Sequence, residues 1–239
     1  MKALAITRKE LRSAFDSPIA YTVIIFFLLF TSIWLFFVQG FFAMDTASLR
    51  SYFAVFPLVF TLVVPALTMR SWAEERKMGT IEVLFSLPLS EWDLVIGKFL
   101  ASFAILLLCL ALSIFVPLSV SPLGRFDLGA LFGEYLGALV LGTTAIALGQ
   151  FISSLAKNQI SAFLTSLVLL LILSTANQIT VLFDLPFALS QFINYFSLSF
   201  HFESFSKGIV DTRDLLFFIL STSFFLFLNQ RVLLFRKWS

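Results

Sequence analysis

Apolar positions along the chain gather into six long runs, at 19–42, 52–69, 99–120, 128–155, 160–183 and 215–234. Each approaches or exceeds the roughly 20 apolar residues that carry a helix across a bilayer, so the pattern predicts six membrane spans. Residues 1–17 read differently. Leu4, Leu11 and Phe15 fall toward one side of a helix, with Lys2, Arg8, Lys9 and Arg12 elsewhere, the pattern of an amphipathic helix at a cytoplasmic membrane surface. Asp16, Ser17 and Pro18 then supply a cap and a first-turn proline for the first span. Pro57 and Pro65 predict kinks in the second span, and Pro117 and Pro122 an end to the third. In the fourth, Gly129, Gly133 and Gly137 recur every four residues, followed by Gly142 and Gly149. Small residues at that spacing let helix backbones approach closely.

Two stretches between the runs are too long and too polar to be simple turns. The first, 70–98, is charged at its start (Arg70, Glu74, Glu75, Arg76, Lys77) and near its end (Glu91, Asp93, Lys98). Between them Gly79 and Thr80 open a short helical piece in which Ile81, Leu84, Phe85 and Pro88 share one face. Such a piece either docks a soluble partner, with apolar anchors and a charged rim, or lies on lipid headgroups. The second stretch, 184–214, is broken yet keeps apolar faces at Leu185, Phe187, Phe192, Ile193, Phe196 and Leu198. It reads as one or two short helices dipping into the outer leaflet and ended by Gly208.

Composition sharpens the fold class. Of 239 residues 59% are hydrophobic and 13% charged, with 32 phenylalanines, where a soluble domain carries about 25% charge. The class is an all-α polytopic membrane protein with one transmembrane domain. With both termini inside, the inner segments hold twelve Lys and Arg residues and the outer ones only Arg50, Arg125, Lys207 and Arg213. That bias places 70–98 in the cytoplasm. The first 18 residues lack an apolar core, so no cleavable signal peptide is expected.

Candidate chemistry is sparse. Cys109 is the single cysteine and lies in an apolar run, and His201 is the single histidine. A disulfide framework and a His-based metal cluster are therefore excluded. His201 is expected to be an aromatic, interfacial side chain of the outer connection. The chain contains no GxxxxGK[ST] phosphate loop, HExxH zinc motif or GxSxG nucleophile elbow. Glu134 lies near the outer end of the fourth span, where it is expected to reach the interface rather than relay protons. Ser113, Thr143, Thr144, Thr165, Asn177 and Gln178 suit bridging between helices more than binding cargo. Ser174, Thr175, Asn177 and Gln178, clustered in the outer half of the fifth span, are candidates for lining a path.

The string MRSWAEERKMGTIEVLFSLPLSEWDLVIGK, residues 69–98, resembles the hallmark loop of ABC-2 type transporter permeases. The outer wording SFHFESFSKGIVDTRDLLFF, residues 199–218, is similar to that of the family's gliding-motility-associated subgroup. The resemblance runs over essentially the whole chain. It implies a permease subunit, without an ATPase site of its own, that serves as half of a dimer and works in export. It also implies two separate ATPase subunits, which bind the ATP and Mg, and a bacterial inner-membrane location with both termini cytoplasmic. In the family the 70–98 segment holds a coupling helix. On that analogy Glu74, Glu75, Gly79, Thr80, Glu82, Leu84 and Phe85 fall at the ATPase contact, and Lys157, Asn158 and Gln159 form a second, smaller one. A self-contained secondary transporter or channel is the competing reading. It needs charged or broken mid-membrane segments and often an internal repeat, whereas these spans are nearly free of charge.

Overall fold

A computed structural model describes residues 2–41, 49–86, 88–123, 127–183 and 186–237. It is nearly all helix, with no strand among the described residues. In chain order the helices are α1 Lys2–Asp16, α2 Pro18–Ile33, α3 Arg50–Ala54, α4 Phe56–Thr68, α5 Ala73–Lys77, α6 Ile81–Ser86 and α7 Glu91–Ser113. They continue with α8 Phe115–Val120, α9 Leu128–Leu155, α10 Gln159–Leu182, α11 Phe187–Phe196, α12 Leu198–Ser206 and α13 Thr212–Lys237. Six helical stretches are long and apolar enough to cross a membrane: Pro18–Val38, Phe56–Lys77, Glu91–Val120, Leu128–Leu155, Gln159–Thr180 and Thr212–Arg236.

Local chemistry sets the helix ends. The helix of the third span begins at Glu91, within the stretch read above as loop, because Ser90 and Asp93 form a reciprocal capping box. Its first two turns carry Glu91, Asp93 and Lys98, which hid them in a hydropathy pattern. Pro57 sits in the first turn of α4, where a proline costs no hydrogen bond, and Pro65 is carried inside the same helix. At the third span's outer end the helix breaks at Ile114 and resumes as α8, with Pro117 inside that last turn.

Burial ranks the spans. In the fourth, α9, 78% of the most apolar window is buried, against 17% for the sixth, α13. Helix α9 is thus the central post, and its glycines explain how neighbours come so near. A Cβ on Gly137 would stand 2.3 Å from that of Phe205, and one on Gly149 2.3 Å from Thr68 Oγ1. Gly133 abuts the backbone of Gly208, while Gly129 touches only its own capping Asp127. The partner of the Gly133–Gly137 stripe is therefore the outer helix α12 rather than another span. Thr144 adds a hydrogen bond to Phe218 O at 3.0 Å, joining α9 to α13. Ser113 Oγ likewise meets Tyr135 of α9 at 3.1 Å. Thr143 and Thr165 bond only their own helices.

The outer connection is built around α12. Gly208 has φ +73°, and the turn is closed by Gly208 N–H to Phe205 O and Ile209 N–H to Ser204 O, a Schellman end. Two expectations are corrected here. His201 is no interfacial side chain but a buried hub: Nδ1 meets Asp214 Oδ1 at 2.7 Å, Nε2 meets Tyr195 O at 3.0 Å, and the ring stacks on Phe217. One imidazole can tie three elements because both its nitrogens hydrogen-bond. Glu134 is buried too, with the Arg50 charge near enough to act on it.

Gly208→Ala should lose stability twice over, through the left-handed backbone and through a Cβ that would come within 2.6 Å of Ala130 Cα. A loss of about 1–3 kcal/mol is expected, read as a lower midpoint of thermal unfolding in detergent. Gly129→Ala, which meets no other element, should leave that midpoint unchanged.

Candidate functional site

The 70–98 segment folds into α5, a glycine turn and α6, and three sets of contacts fasten it to the bundle. The first is a borrowed cap. Helix α5 has no side-chain cap of its own at Trp72, and its first N–H groups, Trp72 and Ala73, donate to Ser153 Oγ of α9 at 3.1 and 3.3 Å. Ser153 in turn donates to Met69 O at 3.2 Å. These bonds satisfy donors that a short helix would otherwise leave open.

The second is Arg76. Its guanidinium donates to the carbonyls of Ser154, Leu155 and Ala156, the last acceptors of α9. A cation there offsets the partial negative charge of a helix C-terminus while filling its unpaired carbonyls. The next residues, Lys157 and Asn158, are exposed, and Asn158 caps α10 by accepting from Ser161 N–H at 2.8 Å. Gln159 is half-buried at the start of that helix. The two cytoplasmic contacts expected separately from the sequence thus belong to one platform, joined by Arg76 and Ser153.

The third is a buried ion cluster. Lys98, on the second turn of α7, is only 3% exposed, and its Nζ lies 2.8 Å from Glu75 Oε1 and 3.0 Å from Glu10 Oε1 of α1. The ammonium also sits 5.0 Å from the centre of the Trp72 ring, within cation–π range. Trp72 is fully buried with Leu94, Val95 and Leu233 of α13, and Leu84 packs against that group.

These anchors sort the expected contact residues. Glu75, expected at the partner contact, is 8% exposed and turned inward to Lys98. Leu84 faces its own protein, half-buried. Gly79 has φ +69° and closes α5 through Gly79 N–H to Arg76 O and Thr80 N–H to Glu75 O, so its role in this fold is to turn the chain. Glu74 is half-buried beside Arg70. Thr80 and Glu82 are exposed, as are Lys77, Met78 and Val83. The Phe85 side chain lies outside the described residues. Met78 and Val83 are the exposed apolar groups of this edge. Sequence reasoning passed over both, because neither falls on the face shared by Ile81, Leu84 and Pro88. A cleft of about 700 Å³ opens between α1 and the segment, lined by Lys9, Glu10, Arg70, Glu74, Met78 and Val83 among others.

The four candidate path residues do not converge. Ser174 is buried, Thr175 bonds back to Leu171 O, Asn177 is half-buried and Gln178 is exposed. One turn further out, Thr180 Oγ1 donates to Asn194 Oδ1 at 3.1 Å and ties α10 to α11.

Lys98→Ala strands two carboxylates at a buried site and should cost about 3–5 kcal/mol. In a double-mutant cycle with Glu75→Ala, the two losses should fall short of adding, with a coupling of about 0.5–3 kcal/mol, measured by unfolding in detergent micelles. Arg76→Ala should cost about 1.5–3 kcal/mol, since it removes charged hydrogen bonds to backbone acceptors.

No curated protein matches the chain. The profile of the ABC-2 family transporter proteins matches residues 4–234. That match runs from α1 through most of α13, and the chain belongs to the ABC-2 family of transporter proteins.

Proposed function

We propose that this chain is the permease half of an exporter driven by a separate ATPase, which docks on the exposed edge formed by Lys77, Met78, Thr80, Glu82 and Val83. The observation that carries this reading is the contrast within one short segment. Its inward residues are bound to α1, α7, α9 and α13, while Met78 and Val83 stay exposed. A monomeric protein gains nothing by fixing apolar groups in water so firmly, whereas a docking surface needs them pre-positioned.

On this reading the partner ATPase binds ATP and Mg, two ATPases serve two permease chains, and both termini face the cytoplasm of a bacterial inner membrane. Lys157 and Asn158 form a second, smaller contact beside the first. Glu75 supports the contact from behind instead of touching the partner. Because the platform is tied to α7 and α9, displacement of its edge moves those spans together. The likeness of the outer connection to the gliding-motility-associated subgroup favours export of a cell-surface component. An ATP-independent carrier would have to place ion-binding charge in the spans, and the six runs offer little of it.

The test is co-expression with the ATPase encoded beside it. Cysteines at Met78 and Val83 should cross-link to that ATPase. Val83→Asp or Glu82→Lys should lower transport-coupled ATP hydrolysis at least tenfold, with melting in detergent unchanged. Cargo movement by the purified chain without any ATPase would overturn the reading, as would cross-links to lipid alone.

A further inference from the structure

Helix α1 has two working faces: α7 covers one, and the other meets the bundle only in part, through Leu11 and Phe15. Toward α7, Ile6 packs against Gly97, Thr7 Oγ1 donates to Gly97 O at 3.0 Å, and Glu10 meets Lys98. Away from it, Leu4, Arg8, Leu11, Arg12 and Phe15 line a shallow groove with Thr7 at its base. Leu4 is 66% exposed. Arg8 and Arg12 are exposed, lie one turn apart and so flank the same strip of helix. Arg12 has Asp16 at 3.8 Å with both side chains in the open, too weak a pair to satisfy a guanidinium.

This groove continues a surface already committed to lipid. Phe15 packs edge-on against Tyr21, with ring centres 5.7 Å apart. Tyr21 begins the exposed stripe Tyr21, Ile25, Leu29 and Ile33 along the first span. The apolar strip therefore runs unbroken from the span onto α1, and the two arginines stand where the strip leaves the hydrocarbon. There the available counter-charge is a lipid phosphate, and arginine binds phosphate with a planar fork of donors.

We propose that the Arg8–Arg12 groove of α1 is a binding site for an anionic phospholipid of the inner leaflet, with its phosphate between the two guanidinium groups and an acyl chain along Leu4, Leu11 and Phe15. The site is independent of the ATPase contact, which lies across α1 on the side of Lys9 and the cleft.

The full chain is reconstituted in nanodiscs of equal phosphatidylglycerol and phosphatidylcholine, and the lipids it retains on release are counted by native mass spectrometry. The wild type should retain phosphatidylglycerol preferentially. Each arginine near an anionic surface corresponds to roughly a fivefold preference, so Arg8→Gln/Arg12→Gln should reduce the enrichment by about thirtyfold. Arg8→Lys/Arg12→Lys should keep only the part due to charge, since lysine lacks the planar fork, and Lys9→Gln should keep nearly all. Melting of the glutamine variant in phosphatidylcholine alone should match the wild type. If the double variant does not insert, each single glutamine variant should show its own fivefold loss. Equal retention of both lipids by the wild type would overturn the site. So would enrichment that survives loss of the arginines, or an equal loss in Lys9→Gln, which would reduce the effect to general surface charge. Displacement of the lipid by free glycerol phosphate would also sink it, because the acyl strip would then be idle.

Discussion

Lys98 is the constraint around which one end of the bundle is arranged. An ammonium with 3% exposure loses most of its hydration, a penalty of several kcal/mol even after relaxation. The fold answers with two carboxylates and an aromatic face. Those groups come from three places in the chain: Glu10 on the interfacial helix, Glu75 and Trp72 on the platform, and Lys98 itself on the third span. Removing Lys98 would leave both carboxylates uncompensated, so the three elements share one electrostatic anchor. A hydrophobic trio of equal volume would pack as tightly, but it would tolerate sliding. Directional charge does not.

The same logic recurs at the foot of α9. Ser153 caps a helix that is not its own, and Arg76 closes the end of a helix from which it is 78 residues distant along the chain. Each bond serves two elements at once, which is how a segment as short as α5 stays helical when its length alone is far too small for stability. The outer end of α9 is secured by different means. There glycines let α12 press against the backbone, and a buried His201–Asp214 pair links α12 to α13. The central post is thus gripped at both ends by structures that do not cross the membrane.

The parts legible in the sequence are those that depend on composition over many residues. Six spans, an amphipathic start and two polar connections follow from hydropathy, because lipid imposes length and apolarity on any spanning helix. The glycine stripe was legible as close packing, though its partner was not. What stayed hidden depends on pairs far apart in the chain. Nothing at position 98 says that its charge will be buried, and nothing at 75 says that its carboxylate turns inward while Glu82, seven residues on, turns out. Ser153 carries no signal at all, since its role is created by the arrival of residues 72 and 73. The early start of α7 was legible in principle, because Ser90 and Asp93 spell a capping box ahead of the apolar run. Mean hydropathy outvoted a local rule at a place where the helix stands outside the membrane.

That last difference bears on how motion would travel. Because α7 begins at Glu91, the third span and the platform meet inside one continuous helix, with Lys98 on its second turn. The turns that carry Glu91, Asp93 and Lys98 thus join the span directly to the platform. At the other side of the platform, Arg76 grips the end of α9, the most buried of the six. A close-packed interior transmits displacement rather than absorbing it. On the proposed docking, a push on the edge at Met78 and Val83 would reach α7 through the Glu75–Lys98 pair and α9 through Arg76. The first, fifth and sixth spans have windows only 28%, 28% and 17% buried, against 72% and 78% for the second and fourth, so the packed centre is α4 with α9 and those three spans leave most of their surface to their surroundings.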